Sequence, residues 1–211
     1  MVSSLHYECF KNATNLISVN FPSAQYIAYA AFSNCFKLQT AIFPEVSYIG
    51  QGAFNYCSSL TTINFPKVSR LDSYVFSRCI NLQSVNFSLI TAISDYTFGG
   101  CTSLSDVNCP EVTEIRTGAF SDCTSLSMVS FSKVTNIFNS VFFRCTSLFS
   151  IYLLTSSVPS ISGYSVFYSM PITRSVNGVY GSIYVKSSLL NSFKTAAIWS
   201  AYSSRFVGIE E

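Results

Sequence analysis

The sequence predicts a β-rich repeat solenoid: a right-handed coil of 22-residue units with parallel strands, closed by a small α+β cap. Three columns of residues carry this reading. Phe10, Phe32, Phe54, Phe76, Phe98, Phe120 and Phe142 recur every 22 residues without a slip. Six positions after each stands Leu16, Leu38, Leu60, Leu82, Leu104, Leu126 or Leu148, and three positions after each stands Ala13, Cys35, Cys57, Cys79, Cys101, Cys123 or Cys145. Three columns holding one register through seven units do not arise by chance, and a fixed period of this length marks a stacked-repeat architecture.

The unit from Leu60 to Cys79 shows the physics. Leu60, Ile63, Phe65, Val68, Leu71, Val75, Phe76 and Cys79 are apolar, too many for a single unit to bury alone. Stacked units bury them against one another. Ile63-Asn64-Phe65 alternates with period two, which predicts a half-buried strand, and Val19/Phe21, Val85/Phe87, Val107/Cys109 and Val129/Phe131 repeat it. Pro22, Pro44, Pro66 and Pro110 follow, where the missing N–H ends a ladder. A second apolar pair, Val68/Leu71 or Val112/Ile115, predicts another brief strand or turn on the opposite wall. The Ala-Phe-x-x-Cys segment is expected to return the chain as one tight helical turn. With strands about 4.8 Å apart, the seven phenylalanines form a spine roughly 29 Å long.

Composition narrows the function classes. Charged residues are 10% of the 211, against about 25% in ordinary globular proteins, and the net charge is +2. No basic run or strong field is present to recruit nucleic acid or an anionic membrane. Mean hydropathy is +0.37. The longest uncharged stretch, Cys145 to Thr173, could cross a bilayer by length. It is interrupted by Pro159, Gly163, Pro171 and many serines, so no membrane insertion is expected. Met1 to Glu8 shows no basic region followed by an apolar core, so no signal peptide is read there.

The pattern Leu-x-x-Ile/Val-x-Phe-Pro with Ala-Phe-x-x-Cys-x-x-Leu, seen in Gly52-Ala53-Phe54-Asn55-Tyr56-Cys57-Ser58-Ser59-Leu60 and again from Gly118 to Leu126, resembles the BspA-like leucine-rich repeats. The resemblance covers about residues 2 to 154. It implies a leucine-rich repeat fold and a bacterial protein, secreted or displayed at the cell surface, engaged in attachment to host components or other cells. Departures are few and size-compatible: Ala13 for the first Cys, Cys109 for a strand Phe, Ser88 and Ser132 for Pro.

The two ends differ from the body. Val2-Ser3-Ser4-Leu5 aligns with Val46-Ser47-Tyr48-Ile49, so the chain opens inside a repeat and reads as a fragment. The repeat solenoid is assigned to residues 1–154, with a truncated first unit. A C-terminal cap is assigned to 155–211, with one strand and one helix. Within it, Ser156 to Ile161 starts a partly related unit in which Phe167 arrives three residues late. Gly181 to Lys186 reads as a strand. Ser187 or Ser188 could N-cap a helix through Tyr202, with Leu189, Leu190, Phe193, Ala196, Ala197 and Trp199 on its apolar face. The cap is expected to seal the last coil, with sugar stacking on Trp199 as the alternative.

No constellation points to catalysis, a cofactor or a metal. Ligands spaced 22 residues apart spread along a line instead of converging on an ion. In-register Cβ atoms about 4.8 Å apart exceed the mean of about 3.8 Å in a disulfide. The Cys column therefore reads as buried free thiols acting as small apolar residues. Cys109 joins the core, and Cys9 stays open. His6 is the only histidine and lies in an end coil. The acids Glu8, Glu45, Asp72, Asp95, Asp106, Glu111, Glu114, Asp122, Glu210 and Glu211 recur at no fixed mutual position. Phosphate-loop and nucleophile-elbow motifs are missing.

The surface remains. The strand positions between the buried ones face outward: Ser18, Asn20, Thr40, Ile42, Thr62, Asn64, Ser84, Asn86, Asp106, Asn108, Met128, Ser130, Ser150 and Tyr152. They form a flat, neutral, hydrogen-bonding face of the kind extended solenoids present to partners. A merely soluble face that resists edge aggregation is the plainer reading. The function expected is a non-catalytic recognition or adhesion module binding a protein or glycan on a host or neighbouring cell. A structural spacer in a longer surface array is the alternative, and an enzyme comes third.

Overall fold

Each 22-residue unit lays one strand on a front wall, one short strand on a rear wall and a run of turns on a third. The computed structural model describes residues 3–210. Met1, Val2 and Glu211, and with them the alignment of Val2 with Val46, lie outside it.

The front strands are Ser18–Asn20, Thr40–Ile42, Thr62–Asn64, Ser84–Asn86, Asp106–Asn108, Met128–Phe131 and Ser150–Leu153. They pair in parallel with partners 22 residues apart, as in Ser18↔Thr40, Thr40↔Thr62 and Met128↔Ser150. The middle residue turns inward: Val19, Ala41, Val85, Val129 and Ile151 are buried, Ile63 and Val107 half-buried. The second apolar pair forms a brief strand, as in Arg70–Leu71 and Glu114–Ile115, with Leu71 and Ile115 buried. These rear strands make two parallel sheets of four.

The third wall corrects the expected helical turn. Between Gly50 and Leu60 the chain makes successive tight turns, closed by Ala53 N–H to Gly50 O at 3.2 Å, Cys57 N–H to Phe54 O at 3.1 Å and Leu60 N–H to Cys57 O at 3.0 Å. It passes through the left-handed region at Gly52 and Tyr56, with φ of 63° and 60°. A helix would aim every N–H back along its own axis. Here alternate N–H groups swing toward the next coil, so Phe54 N–H reaches Val75 O and Tyr56 N–H reaches Ser77 O, both at 2.9 Å. The turn wall thereby gains its own coil-to-coil ladder.

Inside, the phenylalanine spine is continuous. Rings from Phe10 to Phe142 stack nearly parallel, with Phe32–Phe54 at 5.1 Å and Phe76–Phe98 at 5.8 Å. Phe32 through Phe142 are buried, and Phe10 is half-buried. Cys35, Cys57, Cys79, Cys101, Cys123, Cys145 and Cys109 are free and buried, while Cys9 is exposed. The ladder thiols do more than fill space. Each donates to the carbonyl of the phenylalanine one unit back, as in Cys57 Sγ–Phe32 O at 3.2 Å and Cys145 Sγ–Phe120 O at 3.0 Å.

Beyond Leu154 the front ladder continues: Ser150–Leu153 pairs in register with Ser182–Lys186. Ser160–Ile161 extends the rear wall, and Phe167 stacks on Phe142 at 6.4 Å. The helix expected through Tyr202 is broken. A 3-10 turn (Ser187–Leu189) leads into a short α-helix (Leu190–Thr195), Ile198 adopts φ 66°, and a kinked 3-10 segment (Trp199–Arg205) follows. Neither Ser187 nor Ser188 caps through its side chain. On an unbroken helix Phe193 and Trp199 would point about 120° apart. The break brings them together at 5.4 Å. A strand the sequence reading lacks, Phe206–Ile209, then pairs parallel with Ser182–Lys186.

Candidate functional site

The front face holds the residues singled out from sequence in one in-register array. Asn20, Thr62, Asn64, Ser84, Asn86, Asp106, Asn108, Met128 and Ser130 are exposed, and Thr40, Ile42 and Tyr152 are half-buried. Their backbones sit at adjacent rungs, and Asn108 Nδ2 donates to Asn86 Oδ1 at 3.0 Å. The array runs on into the C-terminal segment, where Tyr152 stacks on Tyr184 at 4.5 Å. From Asn20 to Tyr152, Asp106 is its one charge. It offers amides, hydroxyls and a few apolar contacts on a flat sheet.

The other walls carry chemistry that sequence reasoning missed. On the rear wall Tyr26 stacks on Tyr48 at 5.0 Å, and Arg70 lies over Tyr48 at 5.0 Å. The Tyr48 hydroxyl donates to Asp72. Burial, and then the Asp72 carboxylate, push that phenol up to about 12. A hollow of about 370 Å³ follows, where Ala92 breaks the run of larger side chains between Arg70 and Arg116.

On the turn wall, Asn12, Asn34, Tyr56, Arg78, Gly100, Asp122 and Arg144 occupy one column, each in the left-handed region. Gly100 leaves a gap in that ridge, and a hollow of about 580 Å³ opens there. Tyr74 and Tyr96, stacked at 5.2 Å, border it, with Arg78 and Arg144 on its other sides. The tyrosine pair is held because Gly118 bears no side chain: a Cβ there would run into the Tyr96 ring. The signal for the hollow was present in the sequence as Gly100, the one glycine in its column from Asn12 to Arg144.

Six of the ten acids are held in ion pairs, and Asp95 accepts from Thr117 N–H at 3.0 Å. Glu8, Glu45, Asp72, Glu111, Glu114 and Asp122 form ion pairs with Lys11, Lys67, Arg70, Lys133, Arg116 and Arg144. His6 is exposed. Among the described residues no cluster of His, Cys, Asp or Glu could hold a metal ion. Burial pushes the Cys101, Cys109 and Cys145 thiols up to about 12, so they stay protonated and unreactive near neutrality. Sugar stacking on Trp199 is ruled out by its placement. It is 1% exposed, packed against Phe167, Phe193 and Phe206, and its Nε1 donates to Pro159 O at 2.6 Å. Among the described residues no helix is long and apolar enough to cross a membrane.

Family comparison agrees with this architecture. The model for the BspA-type leucine-rich repeat region matches in 6 copies over residues 1–89 and 69–188. The chain belongs to the BspA-type leucine-rich repeat family. Among solved structures it is similar to a leucine-rich cell surface protein of Faecalibacterium prausnitzii, with 28% identity and a TM-score of 0.71. That match covers 89% of this chain and 59% of the other, so the chain spans about three-fifths of that protein's length. A T. pallidum leucine-rich repeat protein is 30% identical at a TM-score of 0.66, covering 74% of this chain and 78% of its own. A Bacteroides ovatus leucine-rich repeat protein, 22% identical at a TM-score of 0.61 over 99% of this chain and 58% of that one, bears on the fold alone. None of the proteins of curated function matches the chain.

Proposed function

We propose that the chain is a non-catalytic recognition module of a bacterial cell surface, binding a protein or glycan on a host or neighbouring cell through its front strand face. One observation carries the reading. Side chains rich in hydrogen-bonding groups and nearly free of charge stand in register across seven coils, a flat array roughly 29 Å long. Such a face suits an extended macromolecular ligand better than a small molecule, which needs a concave site. The F. prausnitzii neighbour, described as a cell surface protein, supports the location. The ion-paired carboxylates support the absence of catalysis.

The test is a glycan and host-protein array probed with the intact chain, followed by front-face variants. Asn64→Lys with Asn86→Lys should abolish saturable binding of protein and neutral-glycan hits and leave the melting temperature close to the parent's, because both side chains are exposed. Lys67→Ala, on a surface bend, should leave binding intact. An array without saturable hits would favour a spacer in a longer surface structure. Binding insensitive to the lysine pair would move the site to another wall.

A further inference from the structure

The turn wall carries a concentration of positive charge that the front-face reading does not use. Arg78 and Arg174 form no ion pair among the described residues, and Arg144 holds Asp122 only loosely, Nε–Oδ1 being 3.4 Å with both side chains well exposed. The Arg78 guanidinium lies over the Tyr56 ring at 5.3 Å, and its stem covers the Gly100 backbone. That leaves its outer N–H groups free to donate.

Arg144 lines two hollows at once. One is the space left by Gly100, and the other is a neighbouring hollow of about 460 Å³ reached by Arg174. Asp122 is the only acid lining either. Three arginines against one carboxylate put a local charge of +2 on this wall, equal to the net charge of the whole chain.

Spacing and lining choose the ligand. Arg78 and Arg144 lie three coils apart, about 14 Å at the usual strand spacing. One phosphate or carboxylate cannot bridge them, so the ligand must carry several acidic groups along its length. The arginine fork favours planar carboxylates, which it grips with two parallel hydrogen bonds. The walls are lined by hydroxyl residues, Ser121 and Thr146 together with Ser77 and Thr102, whose hydroxyls donate to Gly99 O and Ile80 O and keep lone pairs to accept with, and the stacked Tyr74–Tyr96 pair forms an apolar border. Hydroxyl-rich walls with an aromatic border and spaced guanidinium groups match a sugar chain with carboxylates better than an acidic peptide, whose backbone seeks a strand edge or groove.

We propose that the turn wall is a binding site for carboxylated oligosaccharides, seated in the hollow left by Gly100 between Arg78 and Arg144. The site lies on a different wall from the front face and stands without it.

The experiment is calorimetric titration of the full chain with hexuronate oligosaccharides (galacturonate, glucuronate and mannuronate series), a neutral hexose oligosaccharide of equal length, and a polyglutamate peptide. At least one uronate series should bind saturably and weaken as salt rises, as exposed charge contacts do. The neutral sugar and the peptide should not bind. Arg78→Gln and Arg144→Gln should each weaken uronate binding about tenfold or more, the usual range for a hydrogen bond to a charged group. Arg78→Lys should recover only part, since an ammonium keeps the charge and loses the fork. Melting temperatures of these exposed-site variants should match the parent. The front-face pair Asn64→Lys with Asn86→Lys should bind uronates as the parent does. Absence of uronate binding, equal binding of the neutral sugar, or equal binding of polyglutamate would each overturn the proposal. So would loss of uronate binding in the front-face pair with the arginine variants unaffected.

Discussion

Replacing Phe76 by Ala tests the stacking that holds the solenoid together. Phe76 is fully buried, between Phe54 at 5.5 Å and Phe98 at 5.8 Å, with Phe65 and Phe87 tilted against it at 6.0 and 6.1 Å. Truncation removes a whole buried ring and leaves a cavity walled by four other rings that the backbone ladders hold in place. The transfer and cavity terms together cost about 3–5 kcal/mol, and the loss of two stacked pairs pushes toward the upper end. Phe10 is the control. It is half-buried, stacks on Phe32 alone at 5.2 Å and tilts against Phe21 at 5.9 Å, so Phe10→Ala should cost roughly half as much or less. Denaturant unfolding followed by circular dichroism measures both. For a chain of this size Phe76→Ala should lower the melting temperature by about 10 °C or more. Equal losses at the two positions would refute the reasoning, because cost would then not follow the number of rings lost around the cavity.

Thiol titration of the native protein should show one accessible cysteine, Cys9, and all 8 after denaturation without reductant; fewer than 8 would reveal disulfides. The same thiols predict a pH dependence. In the unfolded chain they ionise near pH 9, whereas burial holds Cys101, Cys109 and Cys145 protonated to about 12. A raised folded value gives stability that is complete below pH 9 and is lost as pH climbs toward 12, by about 1.4 kcal/mol per pH unit for each such thiol. An unchanged denaturation midpoint between pH 8 and 10.5 would contradict this. Removing residues 155–211 uncovers Phe142, Leu148, Ile151 and Leu153 and deletes the strand paired with Ser150–Leu153. At about 25 cal/mol per Å², exposing several hundred Å² costs on the order of 10 kcal/mol, so size-exclusion chromatography should show aggregation. A monomeric 1–154 fragment with the parent melting temperature would show that the segment seals nothing. Trp199 fluorescence should be blue-shifted and resist iodide, and ready quenching would place the indole outside the core.

A solenoid is legible in its sequence to the extent that each coil repeats the environment of the last. The Phe10-to-Phe142 column, the inward Val19 and Val85 of the front strands, and the brief rear strand ending at Leu71 follow from the 22-residue period. A buried position must stay apolar in every coil, or one coil loses contact with two neighbours. The outward series from Asn20 to Tyr152 is legible for the same reason, since alternation leaves those side chains no other direction.

What only the tertiary structure decided depends on how one coil is offset from the next. The Cys57 thiol finds the Phe32 carbonyl because the stack places residue i beside the backbone of i−25, an alignment invisible within one unit. The turn wall replaces the expected helical turn because inter-coil bonds from Phe54 and Tyr56 N–H outweigh local ones, and the left-handed residues they require include Tyr56 and Arg78 beside the more permissive Asn34 and Gly100. The Gly100 hollow exists because the stack sets the bare glycine between Arg78 and Asp122 of the flanking coils, with Arg144 one coil further on. The C-terminal helix ends at Thr195 and the chain turns through an extended Ala196 and a left-handed Ile198 because Phe193 and Trp199 must meet on one side, a demand set by the coil beneath them, where Phe167 continues the spine.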